Sequence, residues 1–170
     1  LRYECSKENL GRSKAWKEMG KGQEEVTKAG KHDKLYTTKE EKVIEVHTIG
    51  KINRDIYKCV TEDIVTDEVI ITDERIAHII QRRGQDFYKK FGQYFGEILG
   101  NPDYIFPDKE NTALVCKKII YDGKYINIAL RLVTSVDNPK YRNSIITAVG
   151  ESEKRFAQRL RNNEPLYKKE

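Results

Sequence analysis

The run Tyr125-Ile126-Asn127-Ile128-Ala129-Leu130-Arg131-Leu132 constrains this chain more than any other segment. Apolar residues at every second position make a face that a strand can bury and a helix cannot. Ile126, Ile128, Leu130 and Leu132 should therefore meet a core, while Tyr125, Asn127, Ala129 and Arg131 point the other way and leave a polar face open for function. Such a strand needs paired neighbours and a covering layer. Thr112 to Tyr121 and Asn143 to Val149 read as further strands, with Asp122-Gly123 joining the first of them to the central run as a tight hairpin. Upstream, Lys42 to Thr48 alternates and Val69 to Thr72 is β-branched, so both read as strands.

Two helical patterns lie between these strands. Asp73 is placed to cap a helix on which Ile76, Ile79, Ile80 and Arg83 recur at helical spacing, and Gly84 should stop it. A second helix is expected over Asp86 to Leu99, with Phe87, Phe91, Tyr94, Phe95 and Ile98 on one face; burial explains that aromatic stripe before base stacking does. Asn101-Pro102-Asp103 is turn chemistry. Ser152 to Asn162 reads as a closing helix that buries Phe156, Ala157 and Leu160 and exposes Arg155 and Arg159 one turn apart. The expected fold is α+β, with N-terminal helices packed on one face of an antiparallel β-sheet and a C-terminal helix.

Residues 1–42 are mostly Lys, Glu and Gly with few large apolar side chains, and are expected to form a partly helical or flexible leader; residues 43–170 hold the core. Gly20-Lys21-Gly22 lacks both the spacing and the preceding strand of a phosphate loop. Cys5, Cys59 and Cys116 are odd in number and far apart, so neither a disulfide framework nor a zinc site is indicated. No run approaches the length of a membrane helix. The chain starts with Leu, as a piece of a longer polypeptide would, which leaves any export signal outside it. With 32 Lys and Arg against 27 Asp and Glu the net charge is +5, a mild preference for polyanions. Residues 139–170 carry eight of those cations against four acids, most of the excess.

Glu74, His78 and Arg82 are spaced i, i+4, i+8 and form one helical stripe. A carboxylate can orient the imidazole and a guanidinium can hold phosphate, which makes His78 the best acid–base candidate; an exposed ion-pair row accounts for the same spacing. His32 and His47 have no metal-ligand spacing and are read as incidental or structural. Arg131, opposite the aliphatic row, is read as a phosphate contact, with a salt bridge to a neighbouring strand as the alternative. Thr134, Ser135, Ser144 and Thr147 with Tyr141 and Arg142 would form a pocket for a scissile phosphate. Lys117 and Lys118 must point to opposite faces, so one of them can join it.

These residues resemble the phage-associated branch of the barnase, EndoU, colicin E5/D and RelE-like nucleases. The resemblance covers about residues 66–169. It rests on Ile71-Thr72-Asp73-Glu74-Arg75-Ile76-Ala77-His78-Ile79, Asn101-Pro102-Asp103-Tyr104-Ile105, Asn111-Thr112-Ala113-Leu114-Val115, and Asn143-Ser144-Ile145-Ile146-Thr147 followed by Ser152-Glu153-Lys154-Arg155. It implies an α+β domain that cleaves RNA without a metal or other cofactor, as found in phage-head appendages and bacterial antagonism toxins. Carried onto this chain, it points to His78, Arg82, Arg131, Thr134, Ser144 and Thr147 for chemistry. The basic residues Arg83, Lys117, Tyr141's neighbour Arg142, Arg155 and Arg159, with Tyr141 itself, are then read as RNA contacts. Where such relatives carry an Arg-His pair this chain has Arg82-Arg83; if that histidine is the family's base, His78 has to serve in its place or the activity is lost. A toxin of this kind acts on structured RNA such as tRNA in a bacterial cytoplasm, is delivered within a larger polypeptide, and meets an acidic immunity protein over its basic face. A noncatalytic RNA-binding or phage-structural module is the second expectation, and a nucleotide-dependent transferase the third.

Overall fold

A computed structural model describes residues 44–170; the leader expected over 1–42 lies outside them. Seven strands form one sheet in the order β1-β2-β6-β5-β4-β3-β7. They are β1 (Val46–Lys51), β2 (Glu68–Thr72), β3 (Tyr104–Pro107), β4 (Thr112–Ile119), β5 (Lys124–Arg131), β6 (Asn143–Ser152) and β7 (Tyr167–Lys168). The helices are α1 (Arg54–Tyr57), α2 (Asp73–Arg83), α3 (Gln85–Phe91), α4 (Phe95–Gly100) and α5 (Glu153–Asn162). The α+β class read from the sequence holds. The sheet departs from a purely antiparallel one at a single junction, where β2 runs parallel to β6 through the pairs Val69–Asn143 and Ile70–Ser144. Among the described residues no helix is long and apolar enough to cross a membrane.

The alternation in β5 does what it promises on one face. Ile126, Ile128 and Leu130 are fully buried with Val69, Ile71, Ile145 and the helical Ile79, Phe95 and Ile98. The second face is not the open polar surface expected. α5 lies over part of it, stacking Phe156 on Tyr125 with ring centroids 3.7 Å apart and packing against Phe106 and Cys116. Asn127 is buried and its amide donates to Glu151 at 2.7 Å. Glu151 also takes Arg159 at 3.1 Å, so Arg159 is tied down beside the sheet, whereas Arg155 is exposed as expected. Ala157, expected inside, is exposed.

Local signals account for most element boundaries. The α2 start is capped by Thr72, whose hydroxyl accepts from the Arg75 amide, so Asp73 occupies the first helical position and is not the cap. Gly84 at φ +91° ends that helix as expected. The single helix expected over residues 86–99 is two, α3 and α4, joined by a 3-10 turn at Gly92–Tyr94. The break costs the aromatic stripe nothing: Phe91 and Phe95 stay buried. It also turns Gly96 toward β1, where an added Cβ would sit 2.8 Å from the Ile49 carbonyl. β1 runs over Val46–Lys51, later at both ends than the strand expected over Lys42 to Thr48. The β4–β5 connection is a four-residue loop, since Ile119 pairs with Lys124 and both Asp122 and Gly123 donate to the Ile119 carbonyl; Gly123 at φ +60° supplies the left-handed position.

Gly96→Ala should lower the urea unfolding midpoint by the equivalent of about 1–3 kcal/mol, because the methyl meets backbone and not a side chain that can move aside. An unchanged midpoint would show that β1 and α4 separate freely.

Candidate active site

The loop from β5 to β6 gathers Thr134, Ser135, Tyr141 and Arg142 and begins beside Arg131. Arg131, at the end of β5, directs Nη2 at both Asp137 oxygens, 3.2 and 3.3 Å away, and Nη1 at the Asn111 and Leu132 carbonyls. Asp137 Oδ2 in turn accepts from the Thr134 amide at 2.9 Å and the Thr134 hydroxyl at 3.1 Å. Of the two readings of Arg131, the structure shows the ion pair, and it is with an acid six residues on in the loop and not on a neighbouring strand. Ser135 gives its amide and its hydroxyl to Asp63, at 3.1 and 2.6 Å. Arg142 Nε lies 2.6 Å from Glu68.

Behind these contacts Asn143 is fully buried. Its Oδ1 accepts from the Val133 amide at 2.9 Å and its Nδ2 donates to the Thr66 carbonyl at 2.8 Å. One side chain therefore ties the exit of β5 to the entrance of β2. The result is a cleft of about 370 Å³ whose walls include Thr66, Thr134, Ser135, Asp137, Tyr141 and Arg142.

Two ion pairs flank it: Arg131 faces Asp137 and Arg142 faces Glu68. The two pairs are not equivalent to an incoming anion. Arg142 and Glu68 are both substantially exposed, and such a pair is worth only about 0–1 kcal/mol, so a phosphate can exchange for Glu68 at little cost. Arg131 is fixed by a two-oxygen contact and two carbonyls and belongs to the loop's framework.

The remaining candidates lie elsewhere. Ser144 pairs with Arg131 and Thr147 with Ala129 across β5–β6, so both point to the face of Arg131, and both are half-buried. α2 packs on the other face through Ile79. It carries a half-buried His78 with Glu74 and Arg82 exposed a turn to either side, and Arg83 exposed at its end. The sheet thus separates His78, Arg82 and Arg83 from the hydroxyls of β6. Lys117 is largely buried, donating to the Asn101 carbonyl at 2.8 Å and meeting Asp103; it secures the turn before β3, as Arg159 secures α5.

Neither described cysteine is set up as a nucleophile, since burial pushes the thiols of both Cys116 and Cys59 up. Away from the cleft, Glu45, His47 and Asp73 bring metal-ligand atoms together at the β1–α2 corner. Sequence reasoning missed Asp137, Asp63 and Glu68. The Thr134-x-x-Asp137 spacing is a local turn signal that points to the first of these; nothing local points to Asp63, 72 residues from Ser135.

A family model described as phage-Barnase-EndoU-ColicinE5/D-RelE like nuclease2 matches residues 44–168. No curated protein and no solved structure matches the chain.

Asp137→Ala removes four hydrogen bonds and leaves the Arg131 charge without its acid. The expected loss is about 2–4 kcal/mol in a urea titration, against less than about 1 kcal/mol for Glu68→Ala. Equal effects of the two would show that the Arg131 pair is no more framework than the Arg142 pair.

Proposed function

The chain belongs to the phage-Barnase-EndoU-ColicinE5/D-RelE like nuclease family, and on that premise we propose that it is an endoribonuclease acting on structured RNA such as tRNA without a metal. Membership makes nucleic acid the substrate class. The observation that carries the catalytic reading is His78, half-buried at mid-helix with Glu74 and Arg82 on the same stripe of α2. In this mechanism the His78 imidazole takes the proton of a ribose 2′-hydroxyl, the oxygen attacks the adjacent phosphorus, and the bond to the 5′-oxygen of the next nucleotide breaks as that oxygen takes a proton from solvent water. The products are a 2′,3′-cyclic phosphate and a 5′-hydroxyl. Arg82 offsets the charge that builds on the phosphoryl oxygens. A chain of RNA passing over α2 then has Arg83 within reach on the same helix, while Arg142 and Tyr141 at the cleft and Arg155 on α5 offer contacts to more distant phosphates.

This reading revises the roles of four residues. Arg131 and Thr134 shape the loop through Asp137, and Lys117 and Arg159 hold the fold, so none of the four is assigned to RNA. Ser144 and Thr147 are assigned to substrate contact on the second face and not to the His78 step. As a toxin domain it would act in a bacterial cytoplasm, arrive as part of a longer polypeptide, and be silenced by an acidic immunity protein seated on α2.

One observation favours a second reading, a noncatalytic RNA-binding module. Ser144 and Thr147 face the side of the sheet opposite the one that α2 and His78 cover, so the residues read as one constellation do not converge.

Incubating the chain with total tRNA in excess chelator decides between the two. Discrete cuts ending in cyclic phosphate, reduced about 100-fold or more by His78→Ala with an unchanged thermal melt, are the expected outcome. Salt-sensitive binding with intact RNA supports the binding module, and cuts that vanish in chelator contradict the metal-free mechanism.

A further inference from the structure

At the corner where β1 begins and α2 starts, three side chains converge that neither the family match nor the nuclease reading uses. Glu45 and His47 are two residues apart on extended chain and so project to the same side. Asp73 is the first residue of α2, and its amide donates to the Glu45 carbonyl at 3.1 Å, which seats the helix start on the strand entrance. His47 Nε2 lies 2.5 Å from Asp73 Oδ1. One ligand atom from each of Glu45, His47 and Asp73 falls within 4.8 Å of the other two.

We propose that Glu45, His47 and Asp73 form a binding site for a divalent first-row transition ion of the Zn²⁺ class. Ligand atoms about 2.0–2.2 Å from one metal stand roughly 3–4 Å apart, so small side-chain rotations bring all three onto a single ion. The charge balance points the same way. Two carboxylates this close repel each other, and the one imidazole of the triad compensates at most one of them; a dication between them compensates both. The mixed donor set selects the ion: an imidazole nitrogen with two carboxylate oxygens suits Zn²⁺, Mn²⁺ or Ni²⁺ better than Ca²⁺ or Mg²⁺, which favour oxygen-only shells. Three protein ligands, all exposed, leave the remaining coordination positions to water.

The site sits near the end of β2, whereas the cleft borders its entrance. The four residue steps from Glu68 to Thr72 span about 13 Å at ~3.3 Å each, so the ion does not meet a phosphate held at Arg142. Its effect is to clamp β1 to the start of α2, the element that carries His78. The site is independent of metal-free cleavage, and its test reads binding alone.

Titrating the 170-residue chain with Zn²⁺ alone in a calorimeter should give one saturable site. Glu45→Gln, His47→Ala and Asp73→Asn should each weaken it tenfold or more, with a Cys5→Ser, Cys59→Ser double variant unchanged. In ¹H–¹⁵N spectra of the unaltered chain, substoichiometric Mn²⁺ should broaden the amides of residues 45–47 and 73–75 first, a readout that stands even if a variant fails to fold. Absence of saturable binding, wild-type affinity in folded His47→Ala, loss of the site with the two cysteines, or broadening centred elsewhere each overturns the proposal.

Discussion

The side chain of Asn143 is the constraint on which the functional end of this domain depends. The chain has to bring β2 beside β6 in parallel, from positions more than seventy residues apart, with only two residue pairs of ladder to hold them. Asn143 supplements that short ladder by accepting from Val133 and donating to Thr66 out of contact with water. In a buried site each such bond is costly to lose, because the group left behind keeps its desolvation penalty of about 1–3 kcal/mol. The cleft walls on either side, Thr66 and Thr134, hang from the two backbone segments that this one amide joins.

From that junction the loop is built outward in matched charges. Asp137 gathers Arg131 and Thr134, Asp63 holds Ser135, and Glu68 meets Arg142. The consequence for recognition is that a +5 chain presents a cleft at which both Arg131 and Arg142 are paired with carboxylates and a third acid, Asp63, holds Ser135. An anion is admitted only where a pair is weak enough to open, which singles out Arg142. The His78 imidazole is carried instead by α2, on the sheet face opposite Ser144 and Thr147.

Much of this was legible in the chain where the physics is local. The β5 alternation located the core face, the glycine after Arg83 ended α2, and the Ser152 hydroxyl that accepts from the Arg155 amide opens α5 where the pattern began. The break at Gly92 was hidden because a 3-10 turn carries the aromatic stripe through without shifting it out of the core. β3 and β7 are too short to show a period. The covering of the second sheet face was hidden by Arg159, which reads as a solvated cation at i+4 from Arg155 until Glu151, on the preceding strand, is seen beside it. Of the residues read as one pocket, Thr134, Ser135, Tyr141 and Arg142 line a single cleft, while Ser144 and Thr147 lie outside its walls. That Ser144 and Thr147 are parted from His78 was not legible, since which side of a sheet a helix covers depends on long-range packing.

The dependence of the cleft on one buried amide is open to direct measurement by hydrogen exchange of Asn143→Ala beside the parent chain. The account predicts that the Val133 amide and those of residues 134–138 and 140–142 lose protection while Ile126, Ile128 and Ala148 in the central strands keep theirs. Protection lost uniformly across the sheet, or retained at Val133, would contradict it.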